Sequence, residues 1–192
     1  MNIYDPYPET ISFHGKEIKL NLAYDRFLRA LDVQEMPDLL PEDRIELQCE
    51  LLLDDKEPLP ATVEEQAELT MEIFRLVLPE TEENRPKEKY IDFHQDAALI
   101  RSAFFRLGVD LTKNRIHIMQ FMELLRDMSS DTALMRTIEI RMKPVPEYDG
   151  HNQKQIEALL QAKQRVALKI SEEERMAKFA ASLKNSNLLK GR

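Results

Sequence analysis

Ile91-Asp92-Phe93-His94-Gln95-Asp96-Ala97-Ala98-Leu99-Ile100-Arg101-Ser102-Ala103-Phe104-Phe105-Arg106-Leu107-Gly108 carries the clearest helical signal in the chain. Phe93, Ala97, Ile100, Phe104 and Leu107 step by four, three, four and three residues, which places them on one stripe of an α-helix. Asp92 is expected to cap this helix, with Gln95 at its third position. Gly108 is expected to end it in the left-handed conformation, which costs glycine little.

Working outward toward the C-terminus, a helix is predicted over about 116–128, with Ile118, Phe121, Met122, Leu125 and Met128 as its apolar residues. Ser130 or Asp131 starts a shorter one through Ile138 to about Arg141, and Lys143-Pro144-Val145-Pro146 breaks it. Asp149-Gly150-His151-Asn152 reads as a turn before a final helix over about 153–170. Its stripe is thin: Ile156, Leu159, Leu160, Ala167 and Leu168 on a polar rod. Ser171-Glu172-Glu173-Glu174 offers a second capping signal for a restarted helix to Leu183, and residues 185–192 read as frayed.

Toward the N-terminus, residues 80–89 are charged, contain Pro86 and lack an apolar period, so 79–90 reads as a linker. Thr62-Val63-Glu64-Glu65 is a capping box opening a helix with Val63, Ala67, Thr70, Phe74 and Val77 on one face, closed by Pro79. Pro41-Glu42-Asp43 begins another, running to about Leu53, where proline and two acids suit the first turn. Residues 24–33 form a short helix with Phe27, Leu28 and Leu31 on one side. Before it, Ile11-Ser12-Phe13 and Lys16-Glu17-Ile18-Lys19-Leu20 flank His14-Gly15 as a two-residue hairpin. A lone hairpin is marginally stable, so this one must pack on something. The expected fold class is therefore mainly α: a multi-helix domain of about seven helices with a small N-terminal β-hairpin and a long charged C-terminal helix. The expected division is a helical domain over 1–148 and a basic helical extension over 149–192.

Composition narrows the function. The chain of 192 residues has a net charge of −8, which argues against nucleic-acid binding driven by the whole-protein field. The charge is uneven: residues 151–192 hold nine Lys/Arg against four Asp/Glu, a net of +5. No apolar run approaches the ~20 residues that cross a bilayer, and the N-terminus lacks the features of a signal peptide, so a cytosolic protein is expected. Four glycines, at 15, 108, 150 and 191, leave no phosphate loop or dinucleotide fingerprint. His14, His94, His117 and His151 fall into no metal-binding spacing, and Cys49 lies on an apolar helix face, where it reads as a small buried hydrophobe. Asp54-Asp55 and Glu82-Glu83 read as solvated charge. A helix-turn-helix is disfavoured because the would-be recognition helix, 116–128, carries only Arg126 against two acids, Glu123 and Asp127, a poor electrostatic footprint. No catalytic residue, cofactor or metal is expected. The candidate contact residues are Met119, Met122 and Met128 from a methionine-rich third of the chain, and Lys154, Lys163, Arg165 and Lys169 from the basic C-terminal helix.

The same stretch, continued by Gly108-Val109-Asp110-Leu111, resembles the bacteriophage gp-fifteen family. So do Phe121-Met122-Glu123-Leu124-Leu125, Met128-Ser129-Ser130-Asp131-Thr132, Ile138-Glu139-Ile140-Arg141-Met142-Lys143-Pro144 and the hairpin around Phe13-His14-Gly15-Lys16-Glu17. The resemblance covers roughly residues 10–170. Ile118 and Met119 stand where the family often has tryptophan, which reads as a core substitution, and the tail beyond Ser171 is longer than the family pattern. The resemblance implies a non-catalytic tail assembly chaperone of a siphovirus or prophage, acting in the host cytoplasm. Its implied partners are the tape measure protein and the tail tube (major tail) protein, with self-association a further option and no nucleic acid or membrane. The alternative it leaves is a structural tail protein, a connector or completion protein retained in the virion. It assigns no binding role to any single residue.

Overall fold

The computed structural model describes residues 4–78 and 89–169. Among them lie β1 (Thr10–Phe13), β2 (Lys16–Lys19), α1 (Tyr24–Val33), α2 (Pro41–Leu52), α3 (Val63–Val77), α4 (Ala97–Arg106), α5 (Ile118–Arg126), α6 (Ala133–Met142) and α7 (Gln153–Val166). The fold is mainly α with one antiparallel hairpin. The expected linker, save residues 89 and 90, and the expected restarted helix lie outside the described residues.

The chain divides into two compact units. Among the described residues the first comprises 4–78 and 104–128, the second 89–103 and 129–169. This groups α7 with α6, whereas the sequence reading cuts the chain between residues 148 and 149.

In the first unit, β1 and β2 pair with Phe13 opposite Lys16 and Ile11 opposite Ile18. His14 and Gly15 have φ of 49° and 76°, so both central turn residues are left-handed, as a type I′ turn requires. The hairpin is anchored through the segment that leaves it. The Asn21 N–H donates to the Leu52 carbonyl (2.8 Å) and the Asp54 N–H to that of Lys19 (3.1 Å). On its other side the segment meets residues 116–118: the Tyr24 N–H donates to Ile116 O (2.9 Å), and the Ile118 N–H to Leu22 O (2.8 Å). Extended pairing thus continues past the two named strands, which satisfies the hairpin's need for support.

Helices α1, α2 and α3 pack together. Phe27, Cys49, Leu52, Leu69 and Ile73 lie between them, each at most 1% exposed. Phe27 meets Phe74 edge-on, and Tyr24, Phe121 and Phe104 form a continuous ring stack. Burial pushes the Cys49 thiol up to about 11, so it stays protonated and behaves as an apolar group. The Thr62 cap forms as expected: its hydroxyl accepts the Glu65 N–H at 3.2 Å.

In the second unit, Ile100, Ala103 and Leu134 are the buried apolar residues among those described. Two start signals are shifted from expectation. α4 begins at Ala97, because residues 93–96 close as a turn, with the Asp92 carboxylate accepting the N–H groups of His94 and Gln95. Asp92 therefore caps the turn that leads into the helix. α6 is capped by Thr132, whose hydroxyl accepts the Met135 N–H, not by Ser130 or Asp131. α7 begins at Gln153 as expected but ends at Val166, where Ala167 turns extended at φ −57°, ψ 139°.

Candidate protein-binding surfaces

The chemistry of the second unit centres on Arg141, near the end of α6. Its guanidinium grips the Asp96 carboxylate with two parallel bonds of 2.6 and 2.8 Å. The two side chains are 7% and 3% exposed, so the pair is buried. Burial pushes the Asp96 carboxyl up, but the bonds from Arg141 and from the Asp92 N–H outweigh it and hold the group below its ordinary range. The remaining Arg141 donors reach Tyr90 O (2.8 Å) and Val166 O (2.6 Å). One planar side chain thereby joins three segments.

α7 packs on α6 yet buries none of its residues. Ile156, Leu159, Lys163 and Val166 are half-buried and form its inner side; Lys154, Gln161 and Arg165 are exposed. Lys163 is engaged, its ammonium donating to the Arg141 carbonyl at 2.6 Å. Lys169 is exposed, with its backbone N–H on Gln95 Oε1. Of the four basic residues singled out, Lys154, Arg165 and Lys169 thus lie on the surface. Met142 (54%), Tyr148 (64%) and Leu160 (49%) add exposed apolar surface in this unit.

The methionines divide. Met119 and Met122 are half-buried on α5, whereas Met128 is only 5% exposed and fills the core of the first unit. Ile118, one of the two family tryptophan positions, is also core at 1%. Spacing alone misses this distinction, because the depth of a helix face depends on what packs over it.

The first unit also carries an open groove of about 500 Å³. It lies beside the hairpin exit and is lined by Glu9, Lys19, Leu22, Asp54, Arg115 and His117 among others. His117 is committed to structure. Its Nδ1 accepts the Met119 N–H (3.1 Å), capping α5, and its Nε2–H donates to Pro8 O (3.2 Å). Tyr7 stacks on the imidazole at 4.9 Å and donates its hydroxyl to Glu123 (2.6 Å). Desolvation lowers the His117 pKa, favouring the neutral tautomer that this geometry needs. Exposed Phe105 (69%) and Leu107 (46%) mark the end of α4, so Leu107 departs from the apolar stripe expected of it. Among the described residues no group of acidic, His and Cys side chains could hold a metal ion, and no helix is long and apolar enough to cross a membrane.

The architecture defines a mainly helical protein that, among the described residues, exposes several large apolar side chains and the basic residues Lys154, Arg165 and Lys169. The chain belongs to the Bacteriophage Gp15 protein family, whose model matches residues 3–168. It is thus a phage protein. No curated protein and no solved structure matches it.

Proposed function

We propose that this protein is a tail assembly chaperone that binds the tape measure and tail tube proteins while the tail is built, and works without catalysis. Family membership over residues 3–168 is the observation that carries the reading. The surface chemistry supports it. A chaperone of this kind must cover a partner's apolar surface and later release it, which calls for open, displaceable contacts of moderate affinity. α7 and the residues flanking it offer such contacts: Lys154, Arg165 and Lys169 as exposed cations, and Met142, Tyr148 and Leu160 as exposed apolar side chains. Met119 and Met122 provide a second, adaptable patch on α5, while Met128 is withdrawn into the core.

Co-expression with the tape measure and tail tube proteins of the same phage tests the reading. The expected result is a complex that keeps the tape measure soluble and is absent from finished particles. Recovery of the protein in mature particles would instead favour a connector or completion protein. No complex with either partner would sink the chaperone reading.

A further inference from the structure

We infer that α7 is a releasable strap, locked at its C-terminal end by a polar clamp on Gln95 and Arg141. Three observations converge on it. First, α7 is a 14-residue helix with no buried residue, so little apolar burial holds it. Second, the chain leading into it lies open to solvent, and the bonds of its turn run within residues 147–152. Residues 143–151 are exposed, contain Pro144 and Pro146, and turn at Gly150 with φ 90°. Third, among the described residues the fastening of α7 concentrates where it ends. The Gln95 amide donates to Ala167 O (2.9 Å) and accepts the Lys169 N–H (2.8 Å), a two-pronged grip on extended backbone. The Arg141 Nε–H donates to the Val166 carbonyl, and the Lys163 ammonium donates to the Arg141 carbonyl.

The grip on residues 166–169 uses only main-chain atoms of that segment. When it opens, the Arg141–Asp96 pair stays intact, and α7 leaves with its inner side of Ile156, Leu159 and Val166 uncovered. An element held by few buried contacts and several solvent-accessible bonds opens below the global unfolding free energy. Release stands independently of the chaperone reading; only its use, offering that inner side to a partner, rests on it.

Amide hydrogen exchange on the full chain without partner tests the strap. In the unaltered protein, α7 amides are expected to exchange together and faster than those of α3. Gln95→Ala removes both prongs from an exposed side chain and is expected to speed α7 exchange about tenfold, leaving α3 unchanged. Gln153→Ala, at the other end of α7, should leave α7 exchange unchanged. Exchange of α7 at the α3 rate, or no response to Gln95→Ala, overturns the proposal. So does equal acceleration of α6 and α7, since the clamp would then merely stabilise the whole unit. Lys163→Gln gives a second reading and should accelerate α7 in the same direction. Because no partner is present, these outcomes are independent of the co-expression result.

Discussion

Arg26 closes the C-terminal end of α2 although it belongs to α1. Its Nε donates to Leu51 O (2.7 Å), and its Nη2 donates to Glu50 O (2.9 Å) and Leu53 O (3.3 Å). These include carbonyls that a helix end leaves without partners, and a cation there also suits the helix dipole. Arg26→Met is expected to lower stability by about 1–3 kcal/mol in urea denaturation. Arg26→Lys should recover little of that, because an ammonium lacks the planar fork. His117 yields a prediction with a sign. Its folded-state pKa lies below the ordinary 6.5, so below that pH the unfolded chain binds more protons than the folded one. Its contribution is complete above the unfolded value and is lost as pH falls through it toward the folded one. His117→Asn keeps an α5 cap without a titrating ring. The urea midpoint of this variant should fall less than that of the parent between about pH 7 and pH 5. An equal fall would remove His117 as the cause.

At the scale of the element, α4 shows how a local signal is obeyed and then extended. Gly108 has φ 82°, and two bonds complete the helix end: its own N–H to Phe105 O (3.0 Å) and the Val109 N–H to Phe104 O (3.0 Å). A Cβ at Gly108 meets nothing within 4 Å, so the whole cost of substitution is conformational. Gly108→Ala should therefore destabilise by about 1–2 kcal/mol, and Gly108→Asn by less, as thermal unfolding would show. The N-terminal end of α4 is less local. Asp96 is drawn to Arg141, 45 residues away, and also accepts the Asp92 N–H. Asp96→Ala leaves the guanidinium buried without its partner and is expected to cost about 3–5 kcal/mol. Pairing Asp96→Leu with Arg141→Met should recover much of the loss, because it removes both charges together.

For the whole molecule, the two units differ in what holds them. The first has a stacked aromatic core and a sheet-like seam, whereas among the described residues the second buries Ile100, Ala103 and Leu134 around a charged pair. The number and approximate positions of the helices, the hairpin and its turn, the Thr62 cap, the Gly108 stop and the break after Met142 were legible in the sequence, whereas the starts of α4 and α6 were displaced by a few residues. So was the family, from motifs spread along residues 10–170. The contact surface was legible only in part. Spacing could list Met119, Met122 and Met128 together, yet it could not tell that Met128 is core and the other two half-buried. Nor could it tell that Lys163 is engaged while Lys154 is open.

The sequence by itself determined the features decided within a few residues: caps, turns, helix stops and the apolar period that sets each helix face. Their partners lie one or two turns away, so the chemistry can be read along the chain. Only the tertiary structure decided the rest. Gln48, 2% exposed, donates to Ala30 O, Arg26 closes α2, Arg141 meets Asp96, and His117 reaches Pro8 across 109 positions. Each is a polar group whose desolvation must be offset by a bond from a distant segment. No periodicity encodes which segment that is, because the choice is made by how the helices pack.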